Sequence, residues 1–245
     1  MEYESDFKAI SVQTSLGRMH VRHHEGTKQS ILFIHGFASN SRTWKKLVAL
    51  LPNDLDIYLL DLLGYGGSDA PHAEYSIDTQ TEVLSECINK LGIVDFYLFG
   101  HSYGGWVAMR YATSGHSIKG LILEDAGGVK EGIDYQKESM KDSFNERMLE
   151  LAKKYNDNKE HVILSTLEAR HKNPVFGEES LNSLHVPTLI IWGSNDTMLG
   201  ISAAHALNKH IKHSLLEIIE GAGHDPHYTN TEQVKAALLR FIDYH

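Results

Sequence analysis

Apolar and polar positions along the chain form two alternating patterns. Short apolar or alternating runs predict strands, and longer segments with three- and four-residue apolar spacing predict helices. The strands are predicted at residues 8–13, 18–23, 30–35, 56–61, 96–100, 120–124, 188–192 and 214–219. The helices are predicted at 43–51, 77–91, 103–114, 202–211 and 232–244. This alternation predicts a mostly parallel sheet that is covered by helices on both faces.

One segment, residues 129–186, breaks the alternation. It is largely charged and helical in pattern, and it lies between two parts of a core, 1–128 and 187–245. Apolar side chains recur in it at three- and four-residue steps, which places them on one helix face. The ordinary role of such a stripe is packing against the main domain. Its members are Met140, Phe144, Met148, Leu151 and Tyr155.

A predicted strand runs into Gly100-His101-Ser102-Tyr103-Gly104 and then directly into a helical pattern. A serine at the tip of such a turn takes a strained backbone conformation, so the residues two positions away on either side must lack a bulky side chain. Gly100 and Gly104 meet this requirement. The pentapeptide alone also occurs in ordinary flexible turns. The strand before it and the helix after it favour a nucleophile elbow with Ser102 at its tip.

A serine hydroxyl is a weak nucleophile at neutral pH, so the elbow predicts a base and a group that orients the base. Residues 187–196 form an apolar run that ends in a glycine-containing turn carrying Asp196. The strand pattern at 214–219 leads into Glu220-Gly221-Ala222-Gly223-His224. These segments predict Asp196 as the acid and His224 as the base.

Two further segments complete a resemblance to a known family. Residues 31–37 read as a strand followed by His-Gly-x, and residues 61–69 have the form Asp-x-x-Gly-x-Gly-x-Ser. With the elbow, acid and histidine segments, they resemble the α/β-hydrolase fold superfamily over nearly the whole chain. The resemblance implies an α/β fold with an eight-stranded, mostly parallel sheet flanked by helices. It also implies a helical cap inserted after strand 6, which here corresponds to residues 129–186.

The resemblance also implies an oxyanion hole formed by the backbone N–H groups of Phe37 and Tyr103. Such donors stabilise the negative charge of a tetrahedral intermediate, and the N–H of Tyr103 belongs to the start of a helix, which favours an anion. The side chains of Phe37 and Tyr103 are then free to shape a substrate pocket. We expect three residues of the cap, Met140, Phe144 and Met148, to line part of an acyl pocket.

Other residues compete for these roles. Asp125 also ends an apolar run, and some members of the superfamily take their acid from that position; its alternative role is a solvated or capping strand-end residue. His35 is expected to brace the oxyanion loop, His101 fills a variable elbow position, and His227 lies beyond the loop of His224. None of these three histidines follows a strand and a glycine turn as His224 does.

The 16 histidines do not form a recognisable metal motif. The chain contains no His-Glu-x-x-His and no Cys-x-x-Cys, and His224-x-x-His227 has no convincing third ligand. The glycine-rich stretch at 64–67 matches neither of the nucleotide-binding loop patterns, Gly-x-x-x-x-Gly-Lys-[Ser/Thr] and Gly-x-Gly-x-x-Gly. We therefore expect no metal and no cofactor.

Composition limits the partners. The 245 residues carry a net charge of −9, which argues against nucleic acid as a partner. The single cysteine, Cys87, allows no internal disulfide and lies in a helical pattern, where it is expected to pack. The acidic, polar amino terminus does not resemble a signal peptide, and no run of about 18 apolar residues predicts a membrane span. We expect a cytoplasmic protein; its oligomeric state stays open.

The sequence favours a serine hydrolase that cleaves a small, moderately apolar carboxylic ester through an acyl-enzyme on Ser102. A serine at the elbow disfavours the epoxide hydrolase and haloalkane dehalogenase groups, which use a carboxylate there. Two alternatives remain. One is a carbon–carbon bond hydrolase or a lyase of the menaquinone-pathway type on the same triad, with Arg147 and Arg170 holding a carboxylated substrate. The other is a ligand receptor with a slow hydrolase triad.

Overall fold

The computed structural model describes residues 6–132, 146, 149–150, 154, 159–169 and 172–245. These residues contain an eight-stranded sheet with the strand order β1-β2-β4-β3-β5-β6-β7-β8. The strands are β1 Lys8–Gln13, β2 Arg18–His24, β3 Ser30–Ile34, β4 Asp56–Asp61, β5 Phe96–His101, β6 Gly120–Glu124, β7 Thr188–Gly193 and β8 Ser214–Ile219. The pairs β1–β2 and β2–β4 are antiparallel, and all the other pairs are parallel. The predicted α/β fold with a mostly parallel sheet is confirmed.

Helices cover the sheet on both faces. The α-helices of the described residues are α1 Lys45–Val48, α2 Ile77–Leu91, α3 Tyr103–Thr113, α4 Glu160–Ala169, α5 Glu178–Asn182, α6 Ile201–His210, α7 Pro226–Thr229 and α8 Thr231–Tyr244. Two 3₁₀ helices, Ser41–Trp44 and Lys130–Gly132, accompany them. The helix predicted at 43–51 was therefore wrong in its bounds, because the first turn is 3₁₀ and the α-helix ends at Val48.

Alternate residues of the central strands supply two separate cores. Leu32 and Ile34 of β3 pack with α2, α3 and α6, whereas Ile31 and Phe33 pack with α1 and α8. Side chains of successive strand residues point to opposite faces, so a strand that is apolar at every position is buried on both sides. This explains why the strand predictions agree with the structure to within one residue at each end.

Helix α2 shows how local sequence sets the bounds of an element. The hydroxyl of Ser76 accepts a hydrogen bond from the backbone N–H of Thr79, which caps the first turn. Gly92 follows the last turn with φ 68°, a left-handed conformation in which its N–H bonds back to the carbonyls of Ile88 and Asn89. The buried face of α2 includes Cys87, and burial raises the pKa of its thiol to about 12.

The described part of residues 129–186 contains α4 and α5. Tyr75 donates its backbone N–H to the hydroxyl of Ser165, and Lys159 donates to the carbonyl of Gly66, so α4 is joined to the loop after β4. The division into a core and a cap stays a prediction. The apolar stripe predicted at Met140, Phe144, Met148, Leu151 and Tyr155 lies outside the described residues. No helix of the described ranges combines the length and apolar character needed to cross a bilayer.

Candidate active site

Ser102 lies between the end of β5 and the first residue of α3. Its backbone has φ 51° and ψ −114°, a strained conformation for a residue with a side chain. The turn is so tight that a Cβ at Gly100 would overlap the carbonyl oxygen of Gly104. A Cβ at Gly104 would lie 2.5 Å from the carbonyl oxygens of Ile34 and His35. Both glycines are therefore required by close backbone contacts, and the turn holds the hydroxyl of Ser102 at the carboxyl edge of the sheet.

Three side chains from distant parts of the chain meet at this edge. Nε2 of His224 lies 2.9 Å from Oγ of Ser102, and Nδ1 of His224 lies 2.8 Å from Oδ2 of Asp196. Asp196 comes from the loop after β7, and His224 comes from the loop after β8. The structure thus brings together the three residues that the sequence predicts as nucleophile, base and acid. The His224 ring can accept the Ser102 proton at one nitrogen and donate to Asp196 from the other.

Asp196 is oriented by its own loop. Its Oδ1 accepts hydrogen bonds from the backbone N–H groups of Met198 at 2.7 Å and Leu199 at 3.1 Å, which leaves Oδ2 for His224. Burial alone would raise the pKa of Asp196. The hydrogen bond and charge of His224, together with the loop N–H groups, outweigh burial and lower the pKa. Asp196 is therefore an anion at neutral pH.

The backbone of His224 is held by a second histidine. His101, the last residue of β5, donates from Nε2 to the carbonyl oxygen of His224 at 2.8 Å. Burial, followed by the neighbouring His227 and His224, lowers the pKa of His101 well below its ordinary value, so this ring is a neutral donor. From the sequence, His101 is expected only to fill a variable elbow position, and this contact is not predicted. The two residues are 123 positions apart, and no local pattern indicates the contact.

The loop that carries Phe37 passes beside Ser102. A Cβ at Gly36 would lie 3.3 Å from Cβ of Ser102, which places the adjacent backbone next to the hydroxyl. His35 is fully buried, donates from Nδ1 to the carbonyl of Gly36 and accepts at Nε2 from the N–H of Leu62. These contacts agree with the expected bracing role of His35. The backbone N–H of Tyr103 is the first of α3, where helix geometry supplies no intrahelical acceptor.

Three aromatic rings, one of them from the residue that follows Ser102, pack against one another. The ring centroids of Phe37, Tyr65 and Tyr103 lie 6.0 to 6.5 Å apart. The hydroxyl of Tyr65 lies 3.2 Å from Oγ1 of Thr166 in α4, and the hydroxyl of Tyr103 donates to the carbonyl of Tyr75 at 3.4 Å. Tyr65 belongs to the glycine-rich loop after β4 and is fully buried, and no local pattern in the sequence indicates its contacts with the other two rings. The remaining predicted lining residues, Met140, Phe144 and Met148, lie outside the described residues.

The alternative acid, Asp125, does not take the place of Asp196, because the carboxylate bonded to Nδ1 of His224 is that of Asp196. Its side chain is fully buried, so of the two ordinary roles expected for it, solvated or capping, the solvated role is wrong. It lies behind Asp196, and its Oδ1 accepts a hydrogen bond from the backbone N–H of Gly193. His227 is also buried, with its ring nitrogens 2.6 Å from Glu124 and 2.8 Å from Thr43.

Two groups of described residues bring three side chains with metal-binding atoms within 4.8 Å of one another. The groups are His101, Asp225 and His227, and Asp125, Asp196 and His224. Both ring nitrogens of His224 and of His227 already bond to protein atoms, and Nε2 of His101 bonds to a carbonyl. We therefore assign no metal to either group.

Comparison with known proteins gives concordant results. The model of the α/β hydrolase family matches residues 31–237. The monoacylglycerol lipase ABHD6 of Homo sapiens is 31% identical, over 89% of this chain and 76% of the relative.

Two solved structures are similar in fold. A serine hydrolase involved in carbazole degradation has a TM-score of 0.84 at 19% identity, over 98% of this chain and 100% of that one. An esterase from Exiguobacterium antarcticum has a TM-score of 0.80 at 22% identity, over 96% of this chain and 100% of that one. This chain belongs to the α/β hydrolase family and is a hydrolase.

Proposed function

We propose that the protein is a serine hydrolase that cleaves small, moderately apolar carboxylic esters through an acyl-enzyme on Ser102. The observation that carries this proposal is the continuous hydrogen-bonded chain from Asp196 through His224 to Ser102, with distances of 2.8 and 2.9 Å. His224 removes the hydroxyl proton as Ser102 attacks the ester carbonyl, and Asp196 stabilises the imidazolium that forms. His224 then protonates the leaving alcohol.

The second half of the reaction uses the same groups. Water enters after the alcohol leaves, His224 takes one of its protons, and the resulting nucleophile attacks the acyl carbon on Ser102. The bond between the acyl carbon and Oγ of Ser102 then breaks, His224 returns the proton to Oγ, and the carboxylic acid leaves. In both halves, the N–H groups of Phe37 and Tyr103 donate to the oxyanion. These donors are fixed by the backbone before substrate arrives, so little reorganisation accompanies the charge that develops.

Two observations support an ester of moderate apolarity. The partly exposed ring of Phe37 offers aromatic surface in the loop beside Ser102, and the buried rings of Tyr65 and Tyr103 pack against it. The relatives include proteins named as a monoacylglycerol lipase and an esterase. We accordingly include monoacylglycerols among the candidate substrates, and we propose that Met140, Phe144 and Met148 complete the acyl pocket. The reaction needs no cofactor.

The test is a substrate panel run on one preparation of the protein. It contains p-nitrophenyl esters of increasing chain length, monoacylglycerols, thioesters, lactones and acidic diketones. We expect many turnovers on esters, and we expect Ser102→Ala to lower kcat by at least about a thousandfold. Ser114→Ala is the matched control, because that serine is exposed and bonds only to the carbonyl of Arg110 at the end of α3.

Each contrary result points to a different function. If the protein turns over acidic diketones but no esters, the proposed function would be carbon–carbon bond hydrolysis instead of ester hydrolysis. One slow turnover with the acyl group retained would favour a ligand receptor. A fluorophosphonate probe gives a readout independent of substrate choice: we expect it to label the protein and the Ser114→Ala variant, but not Ser102→Ala. Persistent labelling of Ser102→Ala would contradict the assigned nucleophile.

A further inference from the structure

A second buried carboxyl group lies behind Asp196. Asp125 follows β6, and its side chain has no exposed surface. Its Oδ1 accepts the backbone N–H of Gly193 at 3.1 Å, whereas its Oδ2 is buried and no donor of the described residues reaches it. One oxygen of Asp125, one oxygen of Asp196 and one ring nitrogen of His224 lie within 4.8 Å of one another.

Two carboxylates this close in a buried site cannot both carry a full charge at low cost. The two groups are not equivalent. Asp196 accepts three hydrogen bonds, from the N–H groups of Met198 and Leu199 and from the ring of His224. Asp125 accepts one, from Gly193. A proton shared by the two carboxyl groups is therefore more stable on Oδ2 of Asp125 than on Asp196. Protonating that oxygen breaks no existing hydrogen bond, because Oδ2 accepts none from the described residues.

The surrounding charges favour the same distribution. The titratable groups that face Asp125 are Glu124 from β6, Asp196 from the loop after β7 and His224 from the loop after β8. The carboxylate of Glu124 accepts from the backbone N–H and ring of His227, so it supplies no donor to Asp125.

We propose that Asp125 is a neutral carboxylic acid that donates a hydrogen bond from Oδ2 to the Asp196 carboxylate and so positions Asp196 against His224. Asp125 is a positioning residue, since it acts on Ser102 only through Asp196 and His224. Its value for catalysis rests on the proposed function. With it, the Asp196 carboxylate is held from two elements: its own loop through Met198 and Leu199, and the end of β6 through Asp125.

The electrostatics of the site agree with this arrangement. Burial raises the pKa of Asp125 to about 11, and the negative charge of Glu124 and the hydrogen bond to Asp196 act in the same direction. Burial would raise the pKa of Asp196, but the hydrogen bond and charge of His224, then the N–H of Leu199 and lastly Asp125, together lower it. The pair carries one negative charge at neutral pH, which is the charge that the imidazolium of His224 requires.

Two substitutions separate the hydrogen bond from the general effect of a change at this position. Asp125→Asn keeps the shape, an acceptor for Gly193 and a donor for Asp196, but it has no proton to lose. Asp125→Leu keeps a similar side-chain volume and removes both the acceptor for Gly193 and the donor for Asp196. We expect Asp125→Asn to retain the kcat and KM of the unsubstituted protein. We expect Asp125→Leu to lower kcat about tenfold at unchanged KM.

The pH profile adds a readout that a merely structural role would not move. In Asp125→Leu, Asp196 loses a donor and holds more negative charge beside His224. The acid limb of kcat/KM should then shift to higher pH, whereas it should not shift in Asp125→Asn. Equal losses in both variants, or unchanged kinetics in both, would overturn the proposal.

Infrared difference spectroscopy tests the proton without any turnover. The spectrum of the protein at neutral pH, minus that of Asp125→Asn, should contain the C=O stretch of one protonated carboxylic acid. The matched difference with Asp69→Asn should lack this band, because Asp69 is paired with Arg18 and ionised. A missing band overturns the proposal even if Asp125→Leu does not fold. A band in a protein that turns over no ester would instead refute the proposed function alone.

Discussion

At the residue scale, the histidines around Ser102 differ in what they contact. His35 bonds to backbone groups through both ring nitrogens, and His101 donates to the backbone of His224. Burial lowers the pKa of His35 and of His101, so both rings remain neutral. His224 lies between the hydroxyl of Ser102 and the carboxylate of Asp196. The fully buried ring of His227 lies between the hydroxyl of Thr43 and the carboxylate of Glu124. The rings of His35 and His101 bond to backbone groups, and the ring that we propose to exchange protons with substrate is that of His224.

This division of roles predicts the effect of removing His101. His101→Leu deletes the donor to the carbonyl of His224, and the loss of one hydrogen bond is worth about 1 kcal/mol. We expect kcat on the best ester of the panel to fall about fivefold, with little change in KM, because the ring of His224 is then less well placed in the transition state. Steady-state kinetics measure both constants.

The control for this prediction is His23→Leu. His23 also loses a hydrogen bond, to Asp56, but that pair lies at the amino end of β4, away from the carboxyl edge that holds Ser102. Equal losses of kcat in the two variants would mean that the effect reflects general destabilisation. An unchanged kcat in His101→Leu would show that the contact does not position His224.

At the scale of elements, the predictable parts are those with local causes. The bounds of the central strands β3, β5, β6 and β7 follow from apolar runs buried on both faces, and the ends of α2 follow from Ser76 and Gly92. The Gly-x-Ser-x-Gly turn and the order of the acid and histidine segments were sufficient to select the three residues that meet in the structure. Each of these signals lies within a few residues of the feature that it predicts.

The parts that could not be predicted depend on contacts between distant residues. The hydroxyl of Tyr65 meets Thr166 across 101 positions, and Gly193 meets the side chain of Asp125 across 68. The sequence leaves Asp125 either as an alternative acid or as a solvated or capping strand-end residue, since aspartates are usually exposed. Its burial is decided by the neighbouring end of β7, which no local pattern reveals.

The packing of α3 against β3 gives a prediction at this scale. Gly104→Ala places a methyl group 2.5 Å from the carbonyl oxygens of Ile34 and His35, which are backbone atoms. Helix and strand must then separate, and overpacking of this kind costs about 1–3 kcal/mol. We expect a lower free energy of unfolding in urea and reduced labelling of Ser102 by the fluorophosphonate probe.

Gly177→Ala is the matched control for Gly104→Ala. A Cβ at Gly177 would meet only the side chain of Lys130, at 3.9 Å, and the backbone φ there is −117°, which any residue adopts. We expect Gly177→Ala to unfold and label like the unsubstituted protein. If Gly104→Ala behaved in the same way, the close contact between α3 and β3 would not be what requires a glycine.

At the scale of the whole molecule, the free energy of unfolding depends on how each state binds protons. Unfolded Asp125 loses its proton near the ordinary aspartate pKa of 3.8, whereas folded Asp125 holds it up to about 11. Between these values the folded state binds more protons, so the Asp125 contribution to stability falls as pH rises. The contribution of Asp196 to the free energy of unfolding changes with pH in the opposite direction. Because folding lowers its pKa, Asp196 stabilises the fold above the ordinary aspartate pKa, and this contribution is lost in acid.

Asp125→Asn removes the first contribution and keeps the second. The variant should therefore gain stability relative to the unsubstituted protein as pH rises from about 5 to about 9, by at most about 1.4 kcal/mol per pH unit. Urea unfolding at several pH values in this window measures the difference. For Asp69→Asn, the difference in free energy of unfolding from the unsubstituted protein should not change with pH in this window, because Asp69 is ionised there in both the folded and the unfolded state. A constant difference for Asp125→Asn as well would mean that Asp125 is ionised in the folded protein, and Asp196 would then be held against His224 by its own loop alone.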